Sequence, residues 1–81
     1  MKCLLINPFY DVQGRKYIDV ELDGKQQRIK VPFRYNRVMC EVVGITPIQV
    51  LPKGSVLNIS YKKVVWEGVT HLVLERIELV S

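Results

Sequence analysis

YIDVELDGKQQRIKVPF, residues 17–33, reads as two extended runs joined by Asp23-Gly24. Asp-Gly between alternating apolar and polar residues is the strongest short-range signal of a two-residue β-hairpin. Such a turn fixes the register, because every residue before it pairs with one counted back after it. Ile18 then falls opposite Ile29, with Val20, Val31 and Phe33 on the same side. The other side carries Arg15, Tyr17, Asp19, Arg28, Lys30 and Arg34. One face is core. The other is a basic surface holding an aromatic ring, with Asp19 and Arg28 as a cross-strand charge pair.

Working outward, KCLLI at residues 2–6 reads as a first strand ended by Asn7-Pro8, and residues 9–14 as a loop or an irregular continuation. The hairpin strands span 16–22 and 26–33, where Pro32 marks an edge or a bulge. Tyr35-Asn36 is a bend, and residues 37–43 form a strand with Val38, Cys40 and Val42 on one face. Gly44, Pro47 and Pro52 exclude a long helix, leaving residues 45–51 extended or as one short helical turn. Residues 55–65 alternate, with Leu57, Ile59 and Tyr61 facing one way, and Glu67-Gly68 offers a second tight hairpin.

In the returning run, residues 70–80, the phase slips. Leu72 and Leu74 share one parity, Ile77 and Leu79 the other. A β-bulge near Glu75-Arg76 reconciles them. The rival is an amphipathic helix over LVLERIELV, but the run leaves a turn with no N-cap pattern before it. Five or six short strands with turns about every ten residues predict an all-β fold: one small antiparallel barrel over residues 1–81. Its expected core is Leu4, Ile6, Ile18, Val20, Ile29, Val31, Val42, Leu57, Ile59, Leu72 and Leu74.

At 81 residues and 48% hydrophobic composition, the chain can build one compact core. It buries only about 60–65% of its unfolded surface, so its margin is small. A formal charge of +4 suits a polyanionic partner. Cys3 and Cys40 stand in apolar strand contexts with no CxxC or Cys/His cluster, which predicts buried free thiols in a reducing compartment and no metal. The apolar run at residues 3–6 is too short for a signal peptide, and no stretch approaches the roughly 20 residues that span a bilayer. A soluble cytoplasmic protein without a membrane role is expected.

Catalytic chemistry is not legible. His71 is the only histidine and has no adjacent Cys or Ser. Asp19 and Glu21 share a face, but Arg28 and Lys30 opposite favour charge pairing over a metal. There is no phosphate-cradling loop and no nucleophile elbow. The expectation is a protein that is not an enzyme and carries no cofactor.

The aromatics say more. Phe33 and Tyr61 fall on core parities, whereas Tyr17 lies on the polar face and Trp66 at a hairpin tip. Exposed rings of this kind stack on unpaired bases, worth about 1–3 kcal/mol per base. Arg15, Lys16, Arg28, Lys30, Arg34 and Arg37 gather around the first hairpin and its exit, where they can neutralise phosphates. No recognition helix for a duplex major groove is visible.

Three stretches together resemble the single-stranded-DNA-binding proteins of filamentous phages, which are small dimeric OB-type barrels. MKCLLINPFYDV resembles their short first strand closed by a Pro. Gln13-Gly14-Arg15-Lys16-Tyr17 resembles the Gly-basic-x-Tyr element that begins their DNA-binding wing. Leu51-Pro52-Lys53-Gly54-Ser55, followed by a strand, a hairpin and LVLERIELV, resembles their C-terminal half. The resemblance implies an OB-like barrel, a homodimer, and a viral protein of DNA replication working in the host cytoplasm. It gives Tyr17 the stacking role, Arg15 and Lys16 backbone contacts, and Arg76 a basic position near the C-terminus. Glu78 falls where a second basic residue is common, and residues 33–48 have no clear counterpart.

The first functional expectation is therefore a protein that coats single-stranded DNA, or RNA, without strong sequence preference. Its candidate residues are Arg15, Lys16, Tyr17, Arg28, Lys30, Arg34, Trp66 and Arg76. The alternative is a small barrel that binds other proteins through an aromatic groove. A third class is a subunit stabilised only within a larger assembly.

Overall fold

The computed structural model describes residues 1–45 and 47–81. Among the described residues eight strands form: β1 Lys2–Val12, β2 Arg15–Leu22, β3 Lys25–Val31, β4 Phe33–Arg34, β5 Arg37–Val38, β6 Glu41–Val43, β7 Val56–Trp66 and β8 Val69–Leu79. A 3-10 turn, Ile48–Val50, interrupts the segment between β6 and β7. That segment was expected to be extended or briefly helical, and residue 46 within it lies outside the described residues. Among the described residues no helix is long and apolar enough to cross a membrane.

Turn chemistry sets the local structure. Four two-residue loops, at residues 13–14, 23–24, 35–36 and 67–68, have positive φ at both positions. Positive φ at both central residues is the type I′ geometry whose twist matches that of paired strands. Gly fills the second position in three of them, where a left-handed backbone costs it nothing. The Asp23-Gly24 hairpin has the register read from sequence: Tyr17 opposite Lys30, Ile18 opposite Ile29 and Asp19 opposite Arg28.

The strands run in the order β3-β2-β1-β7-β8, and β3 pairs back onto β8 at Lys30 and Val73, closing a five-stranded barrel. That closure is parallel, so the barrel is mixed, with the other four pairings antiparallel. β6 adds to β8 as an extra parallel strand, Val42 beside Ile77. The whole is consistent with a small OB-like barrel.

Inside lie Leu5, Ile18, Val20, Ile29, Val31, Leu57, Ile59, Leu74 and Ile77, each at most 2% exposed. Ile45, Ile48 and Leu51 from the 3-10 segment join this core. The phase slip in β8 is a bulge: Ser60 pairs with Arg76 and Tyr61 with Leu74, which leaves Glu75 unpaired. Leu74 and Ile77 can then both point inward.

The first strand departs from expectation. Of the two readings of residues 9–14, the irregular continuation is the one found: the strand does not end at Asn7-Pro8 but runs to Val12, through register shifts between Leu5 and Asn7 and between Asn7 and Tyr10. Its inward residues are Cys3 and Leu5, while Leu4 is 40% exposed and Ile6 half-buried. KCLLI has no apolar-polar alternation, so the face is selected by pairing, Cys3 with Leu57 on β7 and Leu5 with Val20 on β2. Val42 and Leu72 are partly buried against the core rather than within it.

Candidate functional site

The outer face of β2 and β3 lies against an arm formed by the end of β7 and the start of β8. Residues 62–70 of that arm are all exposed. Arg15 follows the β1–β2 turn and Trp66 precedes the β7–β8 turn. The Arg15 guanidinium lies 5.6 Å from the Trp66 ring centroid, so the two turns meet over a groove. Arg15, Tyr17, Lys30, Val64, Trp66 and His71 enclose about 300 Å³ of it. Gln27, Arg28, Thr70 and Leu72 extend it along β3, with Tyr17, Lys30 and His71 lining both sections.

Trp66 is 53% exposed, and the His71 ring centroid is 6.3 Å from its own. Tyr17 and Lys30 are cross-strand partners on one face, so hairpin register alone brings a ring and an ammonium together. Among the described residues neither Arg15 nor Lys30 forms an ion pair. Their charge is directed at the groove and at solvent.

Arg28 is held differently. Its guanidinium sits 5.3 Å from the Tyr17 ring and 5.9 Å from the Tyr10 ring. Its Nε is 3.9 Å from Asp19 Oδ1. Asp19 was expected as one half of a surface pair, but it is only 6% exposed. The Tyr10 hydroxyl donates to its Oδ1 at 2.7 Å, and Asn7 Nδ2 donates to its Oδ2 at 2.8 Å. The irregular stretch of β1 has folded over the carboxylate. Burial, then the hydrogen bond and charge of Asp19, raise the Tyr10 phenol above its ordinary value.

The remaining expected residues lie elsewhere. Lys16 shares parity with Ile18, and its ammonium pairs with Asp11 and sits 5.4 Å from the Phe33 ring centroid. That ammonium, with a backbone hydrogen bond from Gly14, holds the exposed Asp11 carboxyl below its ordinary range. Arg34 is in the β4–β5 ribbon, its guanidinium 5.5 Å from the Tyr35 ring. Arg76 lies beyond the β8 bulge, 3.2 Å from Glu41 Oε2 and 3.5 Å from Glu78 Oε1. The structure thus brings Arg15, Tyr17, Arg28, Lys30 and Trp66 together and leaves Lys16, Arg34 and Arg76 apart.

Val64 and His71 line the groove, and Tyr10 packs beside Tyr17 and Arg28 at its end, without having been singled out for it. A turn at Gln13-Gly14 is the signal that would have found Tyr10, since counting back from it sets Tyr10 opposite Tyr17, but Gln-Gly is a weaker hairpin signal than Asp-Gly. Val64 and His71 pair across the β7–β8 hairpin, but no local pattern says which strand face that hairpin turns towards β3. Among the described residues no three His, Cys, Asp or Glu side chains cluster to hold a metal. Comparison of the chain with protein-family profiles, with curated proteins and with solved structures finds no match, and the chemistry of this groove is the guide to function.

Proposed function

We propose that this barrel binds single-stranded nucleic acid, DNA in the first instance, along the outer face of β2 and β3, with little sequence preference and no catalysis. One observation carries it: a groove in which two cations without carboxylate partners among the described residues, Arg15 and Lys30, flank Tyr17 and a half-exposed Trp66. Arg15 and Lys30 neutralise phosphates and release counterions. Tyr17 and Trp66 each offer a π-face to an unstacked base. OB-type barrels recurrently use the corresponding strands and loops for oligonucleotides.

The resemblance to the filamentous-phage proteins adds a homodimer and a role in replication to this proposal. A free strand edge supports the dimer: beyond residue 59, β7 pairs only with β8 among the described residues, and Val65 there is 70% exposed. Sedimentation at micromolar concentration gives a dimer mass if this is right.

Titrating Trp66 fluorescence with oligo-dT tests the main proposal. Quenching is expected, with affinity falling between about 50 and about 200 mM salt. Tyr17→Ala folds and binds more weakly by about 1–3 kcal/mol, one lost base stack. Lys30→Ala lowers the logarithmic salt slope by about 0.7, the share of one phosphate on a single strand. If the parent does not bind, or if both variants bind like the parent, the groove serves another partner. A salt-insensitive affinity for an apolar peptide then favours the protein-binding alternative.

A further inference from the structure

The groove does not end at Arg28. On the far side of that side chain Asn7, Pro8, Phe9, Tyr10, Asp19 and Arg28 line a second hollow of about 380 Å³. Arg28 is a wall of both. The volume is within the range of small-ligand pockets, about 300–1,000 Å³.

The two irregularities of β1 build this hollow. An extra residue on β1 between the Leu5–Val20 and Asn7–Asp19 pairs, and another before the Tyr10–Tyr17 pair, bow the strand outward. Phe9 is anchored by its contact with Phe33, ring centroids 5.5 Å apart. Tyr10 is anchored by its hydrogen bond to the buried Asp19. Pro8, with no N–H to leave unpaired, stays exposed on the bow. The surface is apolar and aromatic with one amide beside it. Asp19 carries a charge of its own but is only 6% exposed, both its oxygens accept hydrogen bonds, and the more exposed Arg28 stands 3.9 Å from it, so a phosphate meets the guanidinium first. The Tyr10 and Tyr17 ring centroids are 5.9 Å apart, so the hollow continues the aromatic path of the groove.

Resting on the function proposed above, we propose that this hollow holds a further base of the same strand. The base packs on Pro8 and Tyr10 with its edge towards the Asn7 amide, and the linking phosphate crosses Arg28. The strand then runs from Trp66 past Tyr17 and Arg28 to Tyr10.

Pro8→Glu tests this, because it places a carboxylate at an exposed position on the rim. The parent, this variant and Gln26→Glu, which adds the same charge at an exposed position that lines neither the groove nor the hollow, are titrated with an oligo-dT of about eight nucleotides. Pro8→Glu should bind about 5- to 150-fold more weakly than the parent, the equivalent of one lost stack, and Gln26→Glu like the parent. Equal binding by Pro8→Glu overturns the second base site while leaving the groove intact. Equal weakening by both variants also overturns it, since the effect is then not local. A parent that does not bind overturns the function itself, a distinct result. If Pro8→Glu does not fold, NMR of the parent decides. The Asn7 side-chain amide and Tyr10 ring signals must move with the oligo-dT. Unmoved signals refute the site.

Discussion

Asp19→Ala removes the brace beneath the binding face. The carboxylate is 6% exposed and accepts hydrogen bonds from Tyr10 and Asn7. Hydrogen bonds to a charged group contribute about 1.5–3 kcal/mol each. Asn7 is exposed, so water replaces most of what it loses. Tyr10 is half-buried and regains less. The Arg28 side chain is 61% exposed and its Nε stands 3.9 Å away, so that pair adds about 1 kcal/mol at most. The loss should therefore be about 2–4 kcal/mol. The total expected for a chain of this length is roughly 0.05–0.15 kcal/mol per residue, so the loss is a large share of it. Urea unfolding followed by circular dichroism reads it directly. Asp19→Asn should lose less, because its amide oxygen still accepts from the Tyr10 hydroxyl. Glu21→Ala, exposed on the same strand, should stay within about 0.5 kcal/mol. A loss below about 1 kcal/mol for Asp19→Ala would refute the brace and return Asp19 to the solvated surface that hairpin parity alone assigns it.

Leu5→Ala should cost about 2–5 kcal/mol and Leu4→Ala about 1 kcal/mol or less; the reverse order in urea midpoints would invert the face of β1. Burial pushes the Cys3 thiol up to about 11, so thiolate is scarce at pH 8 and alkylation should be slow until urea unfolds the chain. Equal rates with and without urea would mean that β1 is not closed against β7. The fold holds the Tyr10 phenol in its neutral form, raising its pKa above the ordinary 10.0. Its contribution to stability is complete below that ordinary value and is lost as pH rises through the raised one. Ultraviolet titration should show a late-ionising tyrosine that Tyr10→Phe abolishes; its persistence in the variant would assign the shift elsewhere.

Much of the fold was readable from short-range rules. Asp23-Gly24 dictated the pairing of Ile18 with Ile29, and the cross-strand meeting of Tyr17 and Lys30 followed from it. The bulge at Glu75 was legible because Leu74 and Ile77 both had to reach one core from positions of opposite parity. The face of β1 was not, because four consecutive apolar residues satisfy either parity equally well. Nor was its length. Residues 9–14 read as a loop or an irregular continuation with nothing to choose between them, because the type I′ turn at Gln13-Gly14 has Gln in place of the usual Asn or Asp.

Strand periodicity and turn conformation are properties of neighbours along the chain, so a residue pattern states them outright. Barrel closure and groove assembly involve residues distant in sequence. Lys30 meets Val73 in parallel, and Arg15 covers Trp66, because the right-handed twist of a closed sheet carries β3 onto β8 and leaves the β7–β8 arm over the outer face of β2. The pairing of β6 with β8 sets Glu41 beside Arg76, and Glu78 two residues further along β8 takes the same guanidinium, away from the groove. Asp19 shows the difference within one residue. Its parity is an outward one, and it is buried because a bowed strand from earlier in the chain lays Asn7 and Tyr10 across it.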